Sequence, residues 1–206
     1  MIKKTLYGGV AVVALLAFAS HAAKANYLIN LAGNGGVAGA YTYTYDVSLD
    51  NFQRITPGVI AGTGEPSFFS VHDFGLVTSI TETGLLATSY SFSEPLVSPH
   101  AFSQAAPDSA TIANIQAVYT GAGNIAALTA LGSFTVTTTL APIFVNTIYE
   151  AQALKSGGPS DGLPAGNSTF IAIPTPAAVP EPGSLTLLGA SLFGMGMIRR
   201  ARGKRV

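Results

Sequence analysis

Apolar and polar residues alternate without interruption between residues 41 and 49. The apolar set is Tyr41, Tyr43, Tyr45, Val47 and Leu49, and the polar set is Thr42, Thr44, Asp46 and Ser48. A strict period of two is typical of a β-strand with one buried and one solvent-facing side. Shorter runs rich in β-branched and aromatic residues follow, and they predict strands at residues 67–72, 75–80, 86–92, 111–119, 133–140 and 143–151.

The same pattern predicts an all-β domain. Gly, Pro, Asn and Asp separate the strands, as turn chemistry requires, and no run between residues 26 and 155 shows a capped apolar stripe of helical period. Residues 123–131 fit one short helix or a loop, and the glycine-rich residues 33–36 predict a turn or loop before the first long strand. About seven or eight short strands predict an antiparallel β-sandwich, with jelly-roll and immunoglobulin-like topologies both left open.

The N-terminal residues have the pattern of an export signal. Two lysines precede an apolar run over residues 6–18, and Ala23 and Ala25 form a small-x-small cleavage pattern. The apolar run is too short for a good membrane-spanning helix. We therefore predict a signal peptide over residues 1–25, with residues 20–22 as a competing cleavage pattern.

Three different segments follow one another at the C-terminal end. The sequence Val179-Pro180-Glu181-Pro182-Gly183 contains two proline rings that prevent a helix from running in from upstream. Residues 183–198 carry no charge and would form a helix about 24 Å long, short of the roughly 30 Å hydrocarbon core. The tail over residues 199–206 favours retention on the cytoplasmic side, and its basic residues are Arg199, Arg200, Arg202, Lys204 and Arg205. We predict a short transmembrane helix that holds the chain weakly and temporarily.

This order of segments resembles the C-terminal sorting signal of PEP-CTERM proteins, which occur in Gram-negative bacteria that secrete exopolysaccharide. The resemblance rests on VPEPG at residues 179–183 and on the apolar run and basic tail behind it, so it covers residues 179–206. It implies recognition by exosortase, a multi-pass membrane cysteine transpeptidase, and removal of the tail near Pro-Glu-Pro. The expected partners are exosortase, signal peptidase, the export machinery and the membrane before processing.

A second, shorter stretch also resembles exported PEP-CTERM proteins. Residues 68–75 form an aromatic strand that ends in Asp-Phe-Gly, a pattern seen in many bodies of that family. The Asp-Phe-Gly triplet is not read as that of protein kinases, because the chain has no glycine-rich nucleotide loop, strand lysine or catalytic-loop pattern. The expected location is the cell surface or the extracellular medium, after export across the inner membrane.

Removal of both end segments changes the charge of the protein. The whole chain has ten basic and ten acidic residues, but residues 26–178 keep only Arg54 and Lys155 against nine acids, a formal charge of −7. Phosphate binding needs a basic surface, so the composition excludes nucleic acid as a partner. The chain has no cysteine, which excludes disulfides, thiolate zinc sites and a cysteine nucleophile. Core burial must therefore hold the domain together.

Glycine, serine and proline mark a boundary near residue 156. We assign residues 26–155 to the β-sandwich domain and residues 156–178 to a spacer. Glycine and serine at residues 156–162 favour flexibility, and the later prolines favour an extended stalk. Residues 170–173 fit a last strand inside the spacer.

Few residues suggest catalysis or metal binding. His72 and Asp73 are adjacent, so in a strand their side chains point to opposite faces and do not share one ion easily. His100 follows Pro99 in a predicted loop, and no Gly-x-Ser-x-Gly elbow marks a serine nucleophile. We expect His72 to be a hydrogen-bonding residue at a strand end, and we predict no catalytic residue, no metal and no cofactor.

Two further groups have a plain and a functional interpretation. Asp46, Asp50 and Asn51 would suit a calcium-binding rim, but we favour solvated acids at a strand end. The tyrosine stripe at residues 41–45 would be a carbohydrate-stacking platform if it were exposed, but such a stripe is more often core.

Two hypotheses of different classes follow. The first is a non-enzymatic surface or extracellular-matrix protein, sorted through its C-terminal signal and structural or adhesive in an exopolysaccharide or biofilm setting. The alternative is a secreted carbohydrate-binding module or polysaccharide hydrolase that acts on the same polymer. A catalytic motif on a loop would have favoured the second hypothesis, and the sequence shows none.

Overall fold

Two antiparallel sheets make up the part of the chain that the computed structural model describes, residues 27–174. One sheet has four strands in the order β1-β2-β8-β5, and the other has the order β10-β9-β4-β7-β6 with β3 beside β9. The strands are β1 Tyr27–Val37, β2 Ala40–Leu49, β3 Gln53–Arg54, β4 Phe68–Val71, β5 Ser79–Glu82, β6 Tyr90–Ser93, β7 Ile115–Tyr119, β8 Ala130–Thr138, β9 Phe144–Lys155 and β10 Pro164–Pro174. The helices are α1 Gly84–Ser89 and a 3-10 turn at Gly158–Ser160. An all-β domain of antiparallel sheets is thus confirmed.

The alternating stretch at residues 41–49 is confirmed as β2. Tyr43, Tyr45, Val47 and Leu49 are buried, while the polar residues between them are half-buried or exposed. β2 lies between β1 and β8, and Tyr45 opposes Phe134 of β8, where the two rings stack with centroids 5.0 Å apart. The tyrosine stripe is therefore core, which is the interpretation that the period of two favoured.

Both sheets contribute aromatic rings to one core. Phe69 of β4 stacks on Phe134 of β8 with ring centroids 5.8 Å apart, and Tyr27 of β1 tilts against Phe69 at 5.4 Å. The hydroxyl of Tyr149 on β9 donates to the carbonyl oxygen of Tyr27 at 2.9 Å. Aromatic pairs of this kind contribute about 0.5–1.5 kcal/mol each beyond the burial of their area. The inner faces of the two sheets are thus held by ring packing and a few hydrogen bonds.

The turn predicted at residues 33–36 is wrong. These residues lie inside β1, where Gly33 opposes Thr44 and Gly36 opposes Tyr41, and the turn falls at residues 38–39. A Cβ on Gly36 would overlap the carbonyl oxygen of Ala40, and its φ of 89° is one that glycine adopts without strain. Gly36 therefore allows a close approach between the paired strands, and the glycines do not reverse the chain.

The strand predicted at residues 86–92 is wrong in its first half. Residues Gly84–Ser89 form α1, which buries Leu86, and β6 begins only at Tyr90. The period of a short apolar run does not show whether the run forms a strand or a turn of helix. Here the burial of Leu86 favours the helix. The strand predicted at 75–80 is also displaced, since β5 spans Ser79–Glu82.

Other strands appear with shifted ends. The predicted strands at 67–72, 111–119, 133–140 and 143–151 correspond to β4, β7, β8 and β9, and residues 123–131 are mostly loop. Residues 164–174, which we placed in the spacer, form β10 and pair with β9 over the whole strand. Among residues 27–174, no helix is both long enough and apolar enough to span a bilayer. The predicted signal peptide and C-terminal helix lie outside the described residues.

Candidate functional site

Polar side chains are buried on the outer face of the larger sheet. The alternation that turns Phe69 and Ala151 toward the core turns their neighbours toward the opposite side. Those fully buried neighbours, on or directly after β4 and on β9, are Ser70, His72, Glu150 and Gln152. Residues 94–114, which connect β6 to β7 without a helix or strand, contact them, and we call these residues the cover loop. Loops of this length are uncommon in compact domains unless they have a function.

Glu150 is the main attachment point of the cover loop. One carboxylate oxygen accepts the backbone N–H of Ala101 at 2.9 Å and the other accepts that of Ala106 at 2.6 Å. Nδ1 of His100 lies 3.3 Å from the first oxygen. A buried carboxylate is costly unless several donors satisfy it. The three donors explain how a fully buried acid is tolerated, and they fix the loop between residues 100 and 106.

A second group of hydrogen bonds ties the two ends of the cover loop together. Ser70 donates to the hydroxyl of Ser98 at 2.6 Å, and the amide of Asn114 donates to the same hydroxyl at 3.1 Å. Asp108 accepts from the Asn114 amide at 3.0 Å and from the backbone N–H of Ser98 at 2.9 Å. Every polar group in this set is thus used internally, which fixes one loop conformation.

The cover loop also lies directly against β10. The backbone N–H of Phe102 donates to the side-chain oxygen of Gln152 at 2.8 Å. Across β9, Gly166 of β10 faces the same part of the loop, and a Cβ there would overlap the backbone of Phe102. Gly166 therefore allows a close contact between loop and strand that no other residue permits.

Two histidines, His72 and His100, lie beneath and within the cover loop. A carbonyl oxygen only accepts, so Nδ1 of His72, 3.2 Å from the carbonyl oxygen of Pro107, carries the proton. Nε2 of His72 is then a bare acceptor, and it is buried without a hydrogen-bond partner in the described part of the chain. The ring of His100 lies 6.4 Å from that of His72 and its side chain is 46% exposed. A histidine held by a buried carboxylate is an arrangement that can act as a base.

The described residues do not complete a catalytic set around these histidines. Within residues 27–174, no hydrogen bond joins a serine hydroxyl to a histidine ring; Ser70 and Ser98 are bonded to each other. Nowhere in the same range do three His, Asp or Glu side chains form a group that could hold a metal ion. His72 does lie at a strand end and does form a hydrogen bond, as predicted.

The residues considered for calcium do not converge. Asp46 accepts from the hydroxyl of Ser133 at 2.7 Å, and Asp50 accepts from the backbone N–H of Asn51 at 2.7 Å. Along extended chain, the Cα atoms of Asp46 and Asp50 lie about 13 Å apart. Calcium ligands lie about 2.3–2.6 Å from the ion, so these two acids do not share one.

Burial of the tyrosines has an electrostatic consequence. Desolvation raises the pKa of Tyr27 well above its ordinary value, and the neighbouring Tyr90 adds to the rise. Desolvation likewise raises the pKa of Tyr45, with a smaller contribution from Tyr43. Tyr45 donates to the carbonyl oxygen of Ala172 at 3.0 Å. These hydroxyls stay neutral and connect the two sheets, so they do not form a sugar-stacking surface.

A groove of about 650 Å³ lies at the end of the sheets next to the cover loop. Most of its lining is apolar, and the residues include Phe74, Leu76, Leu96, Ile112, Val145 and Ile173. The carboxylate of Asp73, at its edge, already accepts the backbone N–H of Ser109 at 3.0 Å. The groove suits an apolar group better than a sugar, whose hydroxyls would find few partners.

The C-terminal sequence matches a known protein-sorting motif. The sequence model of the PEP-CTERM protein-sorting motif matches residues 178–202. The chain carries a PEP-CTERM sorting signal. This motif supports an exported protein that exosortase-type machinery processes and that is sorted to the cell surface. No curated protein and no solved structure matches the chain.

The PEP-CTERM signal begins close behind the folded domain. Pro174 is the last residue of β10, so only residues 175–177 lie between that strand and the matched segment. The predicted sorting residues 179–183 lie inside the match, as do Arg199, Arg200 and Arg202, whereas Lys204 and Arg205 lie beyond it. All of these, and the predicted cleavage residues Ala23 and Ala25, are outside the described residues. Their individual roles stay predictions.

Sequence reasoning missed Glu150, Gln152 and Asn114. Each is a single polar residue between apolar ones, which is the pattern of a solvent-facing position; Glu150 and Asn114 lie in predicted strands, and Gln152 directly follows one. The available signal was the stretch from residue 94 to 110, which had no predicted element and yet carries apolar residues. The apolar side chains of such a loop need a surface on which to be buried. Polar side chains at strand centres can supply the hydrogen bonds that the buried backbone of the loop requires.

Proposed function

We propose that this PEP-CTERM protein is a non-enzymatic structural or adhesive component of the cell surface or extracellular matrix, in an exopolysaccharide or biofilm setting. The observation that carries the proposal is the sorting signal at residues 178–202, placed directly behind a β-domain. Residues 26–178 carry a formal charge of −7. A negative surface disfavours non-specific adhesion to polyanions. The polar groups that could suggest catalysis are largely used to hold the cover loop.

The route to the surface is part of the same proposal. A signal peptide over residues 1–25 starts export in a Gram-negative bacterium, and signal peptidase removes it after Ala25. The segment at residues 183–198 then anchors the chain in the inner membrane, with residues 199–206 on the cytoplasmic side, until exosortase cuts near Pro180–Pro182. The matched sorting motif supports the last of these steps.

We also propose that the two sheets form a β-sandwich of jelly-roll or immunoglobulin-like topology. The support is the shared aromatic core, in which Phe69 of one sheet stacks on Phe134 of the other. Sandwich domains leave their loops and outer faces free for contacts with a matrix, as a structural or adhesive role requires.

Deletion of the signal tests the proposed function. A chain that ends at residue 178 should be lost from the surface fraction and should not co-sediment with the polymer, because exosortase no longer recognises it. A matched control replaces Arg199, Arg200 and Arg202 by lysine, which keeps the charge and should keep delivery. Cell fractionation and the mass of the mature protein measure both. Unchanged location and size of the truncated chain would contradict the proposal.

One observation favours the enzymatic alternative, a secreted polysaccharide hydrolase. His100 is held by the buried carboxylate of Glu150 and exposes the other side of its ring. Under the leading proposal the exported protein leaves the polymer intact. Polymer cleavage by the mature protein that is lost in His100→Ala, but kept in the control Glu94→Gln at an exposed position of the same loop, would favour the hydrolase instead.

A further inference from the structure

Within residues 27–174 no strand pairs with the outer edge of β1, and only the start of that edge is bonded, to Tyr149. Within residues 27–174, β1 is paired with β2 alone. No further backbone–backbone hydrogen bond in that range involves residues 27–37. The one carbonyl with a side-chain donor is that of Tyr27, which accepts from Tyr149. Tyr149 also forms a hydrogen bond with the backbone of Ile29. The outward groups beyond Ile29 are thus the ones free to pair with another strand.

The other sheet edges are shorter or protected. β5 and β6 have four residues each. β10 begins and ends with proline, and Tyr45 bonds its Ala172 carbonyl. β1 has neither charge nor proline, and its only irregularity is a bulge between Leu31 and Gly33. Natural edge strands are usually protected by charge, proline or short length, so the unprotected length of β1 indicates a binding edge.

The distal half of β1 also leaves room for a neighbour. From Ala32 to Val37 every residue is exposed, and Val37 is 71% exposed. Three of these residues are glycines, so few side chains obstruct the approach of another backbone. Main-chain hydrogen bonds supply the affinity in such strand additions.

We propose that β1 pairs antiparallel with β1 of a second copy of this chain, so that two four-stranded sheets become one of eight strands. A two-fold axis places the same edge on both partners, and each outward N–H then meets a carbonyl of the other copy. The domain is acidic overall, but β1 brings no charged side chain to this contact. The pairing does not rest on the surface role proposed above.

The nearest competitor within the chain is a poor strand donor. Residues 175–182 follow β10 and contain Pro176, Pro180 and Pro182. Proline lacks the N–H that a strand pairing needs and is confined to edges and strand ends. A second β1, which has eleven residues without proline, satisfies the open edge far better.

The absence of cysteine allows a sharp test. Single cysteines replace Leu28, Asn30, Ala32 or Asn34 in the full chain as the cell exports it, and copper–phenanthroline is the oxidant. All four positions are exposed. Around a two-fold axis only the residue nearest the axis opposes itself, while residues two positions away are about 13 Å from their copies, too far for a disulfide. Ser79→Cys on β5, the other edge of the same sheet, is the matched control.

We expect one position to give a disulfide-linked dimer at least about tenfold above Ser79→Cys, because a formed pair holds the two thiols at a high effective concentration. Yields at or below the control at all four positions, or equal yields at all four, would overturn the pairing. A cross-linked product whose mass is not twice that of the chain would show a different strand partner and would overturn the second-copy assignment.

A charge variant completes the test. Asn34→Lys, or Asn30→Lys if position 34 gives the highest yield, should lower the cross-linking at least about fivefold, because a lysine on an edge strand disfavours the addition of another strand. The size-matched control is glutamine at the same position, which should keep the yield. Equal yields for lysine and glutamine would contradict pairing through this edge. Surface delivery is read in the same cells, so a failure of sorting and a failure of pairing are distinguishable.

Discussion

The two faces of the β10-β9-β4-β7-β6 sheet are both buried, yet different interactions hold them. On the inner face, Phe69 lies within ring-packing distance of Tyr27 and Phe134. On the outer face, Glu150 and Ser70 hold a loop through hydrogen bonds. Ring packing depends mainly on contact area, whereas a hydrogen bond fails when one partner is removed. The inner face therefore provides most of the stability, and the outer face determines one loop conformation.

This difference predicts the largest effect for a ring on the inner face. Phe134→Ala removes a ring that stacks on Tyr45 and Phe69 and that contacts Phe92. We expect the free energy of unfolding to fall by about 3–5 kcal/mol, as for other buried phenylalanines. Urea unfolding of the purified protein measures it. A loss below that of the outer-face variants would reverse the ranking of the two faces.

The next largest effect is expected at the carboxylate of the outer face. Glu150→Gln keeps the shape but leaves one acceptor oxygen where two backbone N–H groups, of Ala101 and Ala106, need one each. We expect a loss of about 1–3 kcal/mol, with faster hydrogen exchange at those two amides. The control Glu94→Gln changes an exposed acid of the same loop. Equal exchange rates in both variants would show that Glu150 does not hold the loop.

An effect of similar size but more local extent is expected where the loop contacts β10. In Gly166→Ala the new methyl group would overlap the backbone of Phe102, so the loop must shift outward. We expect a cost of about 1–3 kcal/mol and faster proteolysis within residues 100–106. Gly33→Ala is the control, since a Cβ there meets no atom within 4 Å. Protection of the loop in both variants would contradict the close contact.

The smallest effect concerns a single hydroxyl of the inner face. Burial raises the pKa of Tyr45, so the folded protein keeps a proton that the unfolded chain loses above its ordinary pKa of 10.0. Stability is therefore fully present below that pH and declines as the pH rises above it. Tyr45→Phe should cost about 0.5–1.5 kcal/mol at neutral pH through the lost bond to Ala172, and it should make the alkaline decline shallower. Urea unfolding between about pH 8 and 11 measures both, and an unchanged decline would contradict this role.

The sequence was sufficient for the inner face and insufficient for the outer one. Tyr43 and Tyr45 were predicted as core because local alternation is visible within one strand. Glu150 acquires its role from Ala101 and Ala106, and that depends on how a long loop returns over β9. No local period encodes such a contact. His72 was placed correctly as a hydrogen-bonding residue at a strand end, but its partner Pro107 was not predictable for the same reason.

Strand ends show the same limit on a smaller scale. Residues 86–92 begin with the second of two adjacent leucines, Leu85 and Leu86. Whether this stretch forms a strand or a helical turn depends on the space beside β8, which α1 contacts and where Leu86 is buried. The glycines of residues 33–36 favour a turn in isolation, but strand pairing with β2 outweighs that local preference. In both places a tertiary contact overrides a local preference.

The position of β10 has a mechanical consequence. The sorting signal begins just after Pro174, so whatever holds the protein through its C-terminal end pulls on β10 before any other strand. β10 lies at the edge of its sheet and is paired with β9 from Pro164 to Pro174. A pull applied through the C-terminal end would therefore meet the β9–β10 pairing first. Because the cover loop contacts Gly166 of β10, the same pull that peels this strand would also release the loop.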